Sequence, residues 1–532
     1  MPGSYRARFL LHKLFLPMSD QSADFIEKIK ASYSPSGPSI YLGAGILNGD
    51  VLAEAEVNLS LKMMNRHGLV AGATGTGKTR TLQLLAEQLS DAGVPVFMLD
   101  VKGDLSGLYQ PGESNAKIEE RATQLNKPFS PSGFPIELYS LSGKLGAQMR
   151  ASVLEFGPTL LSKILDLNDT QTGVLAVIFK YADDNKMPVI DLKDLRKLVS
   201  YLSDGEGADE IKSSYGKISP ATAGTILRKI VAIEQQGLAD IFGEPSFDIE
   251  DLFGRTDGKG VISLLNISDV QSQPVLYSTF LLSLLAEIFY NMPEAGDLDK
   301  PKLVFFFDEA HLLFKNSSKA FLEQIETIIR LIRSKGIGIF FCTQAPTDVP
   351  ESILSQLGNR IQHALRVFTP NDADALKKTV NTYPRSDFYQ IDKVLTSLGT
   401  GQALITVLNE KGIPTEVSAT LLSSPRSVMG PMTTADYNTL LASSPLTKKY
   451  AVAIDRESAY EMLTNRVNDK LSEEQHSETT STGSGKQEKS LIEQVMGATI
   501  TRQIGKEIVR GIFGMLTGKK SRSSGGKGLF GL

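Results

Sequence analysis

Tryptophan is absent from this 532-residue chain, and cysteine occurs once, at Cys342. One thiol excludes an intrachain disulfide and points to a reducing compartment. The missing tryptophan carries no functional weight. Also lacking is any excess of positive charge: 56 Lys and Arg stand against 60 Asp and Glu, a formal net charge of −4. That balance argues against a uniformly basic nucleic-acid binder, although a local basic channel would vanish in the total. No apolar run reaches the roughly 18 residues that a membrane-spanning helix needs, so the body of the protein is expected in the cytoplasm. The 41% hydrophobic and 22% charged residues are those of a soluble globular chain long enough for several domains.

Residues 1–38 read as an N-terminal extension. Arg6, Arg8 and the run over residues 9–16 resemble a weak signal peptide, but His12 and Lys13 interrupt the run and no small-residue cleavage site follows. The expected reading is an upstream extension, with Met18 as a natural start. A Pro/Ser/Gly cluster at 34–39 marks a boundary, and residues 39–62 form a short β segment, too brief for a domain. From His67 strands and helices alternate. Residues 67–71 are an apolar strand, and 79–92 a helix with Leu82, Leu84, Leu85 and Leu89 near a period of 3.6. Residues 94–99 are a fully apolar strand of the kind buried on both faces of a parallel sheet. Residues 63–144 therefore open an alternating α/β core.

Residues 145–257 break this rhythm. Leu154, Leu160, Leu161, Ile164 and Leu165 share one helical stripe, and the segment reads as a helical insertion. Strands resume over 258–426, at residues 261–267, 303–307, 338–342, 361–367 and 403–407, so the core is expected to be a doubly wound α/β sheet. Residues 427–466 are a C-terminal extension, and 467–532 a flexible linker (471–489) followed by an apolar-basic helical tail.

The chemistry begins at Gly72, Ala73, Thr74, Gly75, Thr76, Gly77, Lys78 and Thr79, which fit G-x-x-x-x-G-K-[ST] between a strand and a helix. The glycines let the backbone turn its N–H groups inward, and the helix N-terminus adds its positive dipole end. Such a loop is expected to hold the phosphates of ATP, with Lys78 on the β- and γ-phosphates and Thr79 on magnesium. A second apolar strand ends in Asp308 and Glu309. Asp308 suits a Mg2+ contact and Glu309 a general base for the attacking water. His311 reads more simply as structural. The strand over 338–342 ends at Gln344, which could sense the γ-phosphate or orient water. Between these strands, residues 321–334 form a helix whose buried stripe includes Ile325, Ile328, Ile329 and Ile332 and whose charged face is solvated.

Together, GATGTGKT (72–79), LDVKGD (99–104), VFFFDEAHLLF (304–314), LIRSKGIGIFFCTQAPTDVPESILSQLGNRI (331–361) and LGTGQALI (398–405) resemble the HerA/FtsK superfamily of RecA-like P-loop ATPases. The resemblance covers roughly residues 39–426. It implies a RecA-like core, a homo-hexameric ring with ATP bound between subunits, and DNA threaded through the pore. It also sets Arg360 where an arginine finger is expected, near the nucleotide edge, with Arg333 in reserve. The chain departs from the superfamily in having only residues 40–61 where HerA proteins carry a β-barrel, and no visible membrane helices or DNA-reading winged helix of the FtsK kind.

The expected function is an ATP-hydrolysing, HerA-like motor, a ring-forming DNA translocase or helicase-like protein touching the DNA backbone. Two alternatives remain open: a secretion-type ATPase acting on protein, and a membrane-associated ATP-dependent scaffold. The last rests on the tail. There Ile500, Ile504, Ile508 and Ile512 repeat beside Arg502, Lys506 and Arg510, so that it could meet a membrane surface, nucleic acid or a partner.

Overall fold

The computed structural model describes residues 18–314 and 319–479. The expectations for residues 6–16, for the end of the linker and for the tail lie outside the described residues. The chain divides into two compact units, one of Met1–Ser152 with Lys229–Arg456, the other of Val153–Arg228 with Glu457–Leu532.

The first unit is built on a single twelve-stranded sheet. Its strands are Ser39–Leu47 (β1), Asp50–Ser60 (β2), Gly68–Ala71 (β3), Val96–Asp100 (β4), Ile136–Ser140 (β5) and Ala147–Gln148 (β6). After a two-stranded ribbon, Arg255–Thr256 (β7) and Lys259–Gly260 (β8), come Ile262–Asn266 (β9), Leu303–Phe307 (β10), Ile337–Thr343 (β11), Asn359–Gln362 (β12), Gln402–Thr406 (β13) and Ser418–Leu422 (β14). The order is β2-β1-β14-β13-β12-β3-β11-β10-β4-β9-β5-β6. From β12 to β6 every pairing is parallel, and from β12 to β2 every pairing is antiparallel. The parallel strands β3, β4, β10 and β11 are buried at every residue, which is why their sequences are unbroken apolar runs. This is the α/β core with a large parallel sheet expected from the sequence.

Residues 39–62 are no separate stub. β1 and β2 form a hairpin, turned at Asn48–Gly49 with positive φ at both residues, and β1 pairs with β14 to extend the main sheet. The pairing partners lie almost the length of the core apart in sequence, so no local pattern announces them. The helix Met18–Tyr33, read from sequence as polar lead-in, covers this edge with Phe25, Ile29 and Tyr33 buried.

One helix contradicts the expectation that no segment is apolar enough to cross a membrane: Pro274–Asn291 meets that test by length and composition. Within it the Ser278 and Thr279 hydroxyls both donate to the Val275 carbonyl. Most of the helix is buried in the unit, from Leu276 to Ile288, so its apolarity is that of a core element.

The second unit is helical. Asn168 and Asp191 each close a capping box on the helices Asp169–Asp184 and Leu192–Ser203. The helix Ala459–Thr479 packs on Leu192–Ser203 with Ala459 and Leu463 fully buried, and it carries the chain to Thr479, into the segment from 471 expected as linker.

Candidate functional site

The site lies where the parallel strands end. β3 stops at Ala71, and residues 72–77 wrap back into the helix Lys78–Asp91. Gly72 and Gly77 carry φ of 154° and 117°, and a Cβ on Gly72 would sit 2.5 Å from the His363 Cβ. The loop is tied on both sides. Gly72 N–H donates to the Thr343 carbonyl (3.2 Å) and Ala73 N–H to the Ala364 carbonyl (2.9 Å). Lys78 Nζ lies at the loop's mouth, donating to the Gly72 (2.7 Å) and Ala73 (3.3 Å) carbonyls. Thr74 and Gly75 are exposed, while Thr79 at the first helical turn is half-buried.

His363 was not foreseen. Its ring is fully buried beneath the loop, with Nδ1 3.0 Å from the Gln402 carbonyl and Nε2 2.9 Å from Thr81 Oγ1. Burial lowers its pKa to about 4, so it acts as a neutral ring, donating at Nδ1 and accepting at Nε2. Gly401 N–H in turn donates to the Thr76 carbonyl (3.0 Å), so the segment LGTGQALI braces the loop.

β10 delivers the acids. Asp308 is 8% exposed, accepts the Glu309 N–H at Oδ1 (2.9 Å) and receives the Cys342 thiol. Burial pushes its carboxyl above the ordinary range, against those hydrogen bonds. Glu309 takes a left-handed backbone, φ 49°. Phe307 is in register with Phe341 of β11, and Phe341 with Leu69 of β3. Glu309 therefore stands level with Ala71, two strands away, a separation of about 10 Å. Gln344 follows β11 directly, between the two, and is exposed. Among the described residues no group of three or more His, Cys, Asp or Glu is arranged for a metal. Magnesium needs no such group, because it takes one or two protein oxygens and fills its shell with phosphate and water. Thr79, at the first turn of the helix, and Asp308, just after β10, each offer a hard oxygen of the kind magnesium takes.

Asp100 ends β4 as Asp308 ends β10. Its carboxylate accepts the N–H groups of Gly103 (2.8 Å), Asp104 (3.2 Å) and Leu105 (3.1 Å), and burial raises its pKa to about 6. This turn carries Lys102 to 3.8 Å from Glu309 Oε1. The signal for Asp100 was in the sequence, an apolar strand ending in an acid. Lys102 lies inside the LDVKGD motif, which gave it no role of its own, and nothing in the sequence marked Tyr277.

Arg360 is not with this group. It pairs with Leu69 near the entry end of β3, not with the loop beyond Ala71, and the residue that β12 delivers to the loop is His363. The Arg360 guanidinium turns away, donating to the carbonyls of Leu357, Thr382 and Leu354. It lines a cleft of about 500 Å³ with Arg66, Arg330 and Arg333, and no carboxylate lines it. Arg330 and Arg333 are exposed, so the charged face of the helix Lys319–Ile332 and the turn after it feed this cleft.

Residues 46–522 match the Helicase HerA-like C-terminal family. The chain belongs to this family. Similar HerA-like proteins include the DNA double-strand break repair helicase HerA of Sulfolobus acidocaldarius, 23% identical over 374 residues, 66% of this chain and 64% of that one. The protein of the same description from Saccharolobus solfataricus is 24% identical over 384 residues, 71% of this chain and 68% of that one. The DNA import protein CedB of Sulfolobus acidocaldarius is 25% identical over 355 residues, 66% of this chain and 51% of that one. The chain thus spans 64% of the length of the first of these relatives. Among solved structures, the unbound monoclinic form of the bacterial conjugative coupling protein TrwBdeltaN70 is 14% identical with a TM-score of 0.44, covering 75% of this chain and 99% of that one.

Proposed function

We propose that this HerA-like chain is a magnesium-dependent ATPase working as a homo-hexameric DNA motor in the cytoplasm. The observation that carries the reading is the phosphate loop and the Asp308–Glu309 pair at one sheet edge, two strands apart. In this reading the loop N–H groups and Lys78 cradle the phosphates, and Thr79 and Asp308 hold magnesium, which neutralises phosphate charge when bound. Glu309 draws the proton from the attacking water, and Gln344, at the exit of the intervening strand, orients that water or senses the γ-phosphate. The domain reading is an ATPase core over 63–144 and 258–426 interrupted by helices within 145–257.

Phosphoryl transfer also needs positive charge on the side of the γ-phosphate away from the loop. Arg360 faces the entry end of the sheet, which argues against service to its own nucleotide and for action on a neighbour's. Of the two candidates, Arg333 is exposed while Arg360 spends its donors on three carbonyls. We assign the phosphate contact in trans to Arg333, with Arg360 shaping the cleft. DNA is favoured as the substrate by the relatives described as a DNA repair helicase and a DNA import protein. The test is ATP turnover with and without duplex DNA, single strands and lipid vesicles. Stimulation by DNA supports the motor reading. Stimulation by vesicles alone contradicts it in favour of a membrane scaffold, and no stimulation by either points to a protein substrate.

A further inference from the structure

Glu309 stands in an unusual local setting. Its left-handed backbone is uncommon for a residue with a side chain, and the turn it makes buries its carboxylate. Among the described residues, Glu309 Oε2, His311 Nδ1 and Tyr277 Oη are all buried without a hydrogen-bond partner. These three orphaned atoms belong to one neighbourhood. His311 Nδ1 is 3.4 Å from Glu309 Oε2, and the helix Pro274–Asn291, which carries Tyr277, packs on the helical turn His311–Phe314. On the other side Lys102 Nζ lies 3.8 Å from Glu309 Oε1. Burial, with the Glu309 charge adding to it, pushes the Tyr277 hydroxyl up to about 12, so it remains a donor.

We propose that Lys102, Tyr277 and His311 form a cradle of donors around the Glu309 carboxylate that fixes its orientation toward the attacking water. The inference rests on the reading of Glu309 as general base. The His311 and Lys102 separations are longer than a well-formed hydrogen bond, as is common before substrate is bound. A carboxylate held by several donors has one orientation instead of many, and a misplaced base loses rate without losing ground-state binding. The three residues are positioning residues: they act through Glu309 and touch no substrate. A tyrosine in an apolar helix and a histidine in a turn would otherwise be simple packing, and packing would not couple them to one carboxylate.

A double-mutant cycle in the full-length protein tests this. Tyr277→Phe keeps the ring and removes only the hydroxyl, so the fold is retained. The expected result is kcat lowered about tenfold, the worth of one hydrogen bond to a charged group, with KM and ATP affinity unchanged. In the Glu309→Gln background the same change lowers single-turnover hydrolysis no further. His311→Ala behaves like Tyr277→Phe, and His311→Gln, which keeps a donor, recovers part of the rate. Wild-type kcat in Tyr277→Phe, or an equal loss with and without the Glu309 carboxylate, overturns the cradle while leaving Glu309 as the base. Normal hydrolysis by Glu309→Gln itself removes the underlying reading and the cradle with it.

Discussion

Lys78 and His363 hold the phosphate loop from opposite sides, one at its mouth and one beneath it. On the proposed function Lys78→Ala removes the charge that would face the β- and γ-phosphates, and the expected outcome is loss of ATP binding or turnover on a folded protein, read by nucleotide titration and melting. His363 leads to a pH dependence. Its folded pKa, like that of buried His67, is depressed from 6.5 to about 4. A depressed histidine contributes stability that is present above its unfolded value and lost as pH falls through the interval between the two. Asp100 has the opposite sign, because burial raises it to about 6 and its folded form gains protons as pH falls. A His363→Gln variant separates the terms. Between pH 7 and 4.5 its melting temperature should fall less than that of the wild type, the difference reflecting on the order of 1–3 kcal/mol. Equal slopes would show that the ring is not held neutral.

Residues announced by pattern, such as Asp308 at the end of an apolar strand, were legible in the sequence. His363 was not, because its meaning comes from pairing beside Ala71, and Tyr277 sits in an apolar helix that no motif marks. Arg360 shows the converse. A motif gave it a role, but the register of β12 against β3 decides which edge of the sheet it serves.

At the scale of elements, each functional group is set by where a strand stops. Gly72 is the tightest such point. Gly72→Ala adds a Cβ 2.5 Å from His363 at φ 154°, and the expected result is a loop displaced from its site. Nucleotide binding falls sharply, with a stability loss of roughly 1–3 kcal/mol from overpacking. Retention of full affinity would mean that the loop tolerates the shift. Periodicity located β3, β4, β9, β10, β11 and β13 to within a few residues, because burial leaves them nearly unbroken apolar runs, but the strand expected over 361–367 is instead Asn359–Gln362, and β5, β14 and the helix Pro274–Asn291 were not read. It did not show that β1 and β2 extend the main sheet, since antiparallel pairing to β14 is non-local. Nor did it show that the Glu- and Ser-rich stretch after 471 continues as a helix, because packing on Leu192–Ser203 anchors the start of that helix.

At the scale of the whole molecule, the arginine cleft and the hydrolytic edge lie at opposite ends of the strands of one subunit, an arrangement that suits a ring in which each subunit completes its neighbour's site. Mixing Arg333→Ala subunits with Lys78→Ala subunits should restore part of the hydrolysis that each lacks alone, since some interfaces then carry both groups intact; the same mixture with Arg360→Ala tests the second arginine. Demonstrated mixing without any return of activity contradicts action in trans. The central claim is nearer the chemistry: the phosphate loop and Glu309 belong to one hydrolytic site. The most direct measurement is the fate of bound ATP in Glu309→Gln. The expected result is ATP bound with wild-type affinity and recovered intact, with turnover reduced by roughly 10²–10⁴-fold. Wild-type turnover, or failure to bind ATP at all, would contradict it.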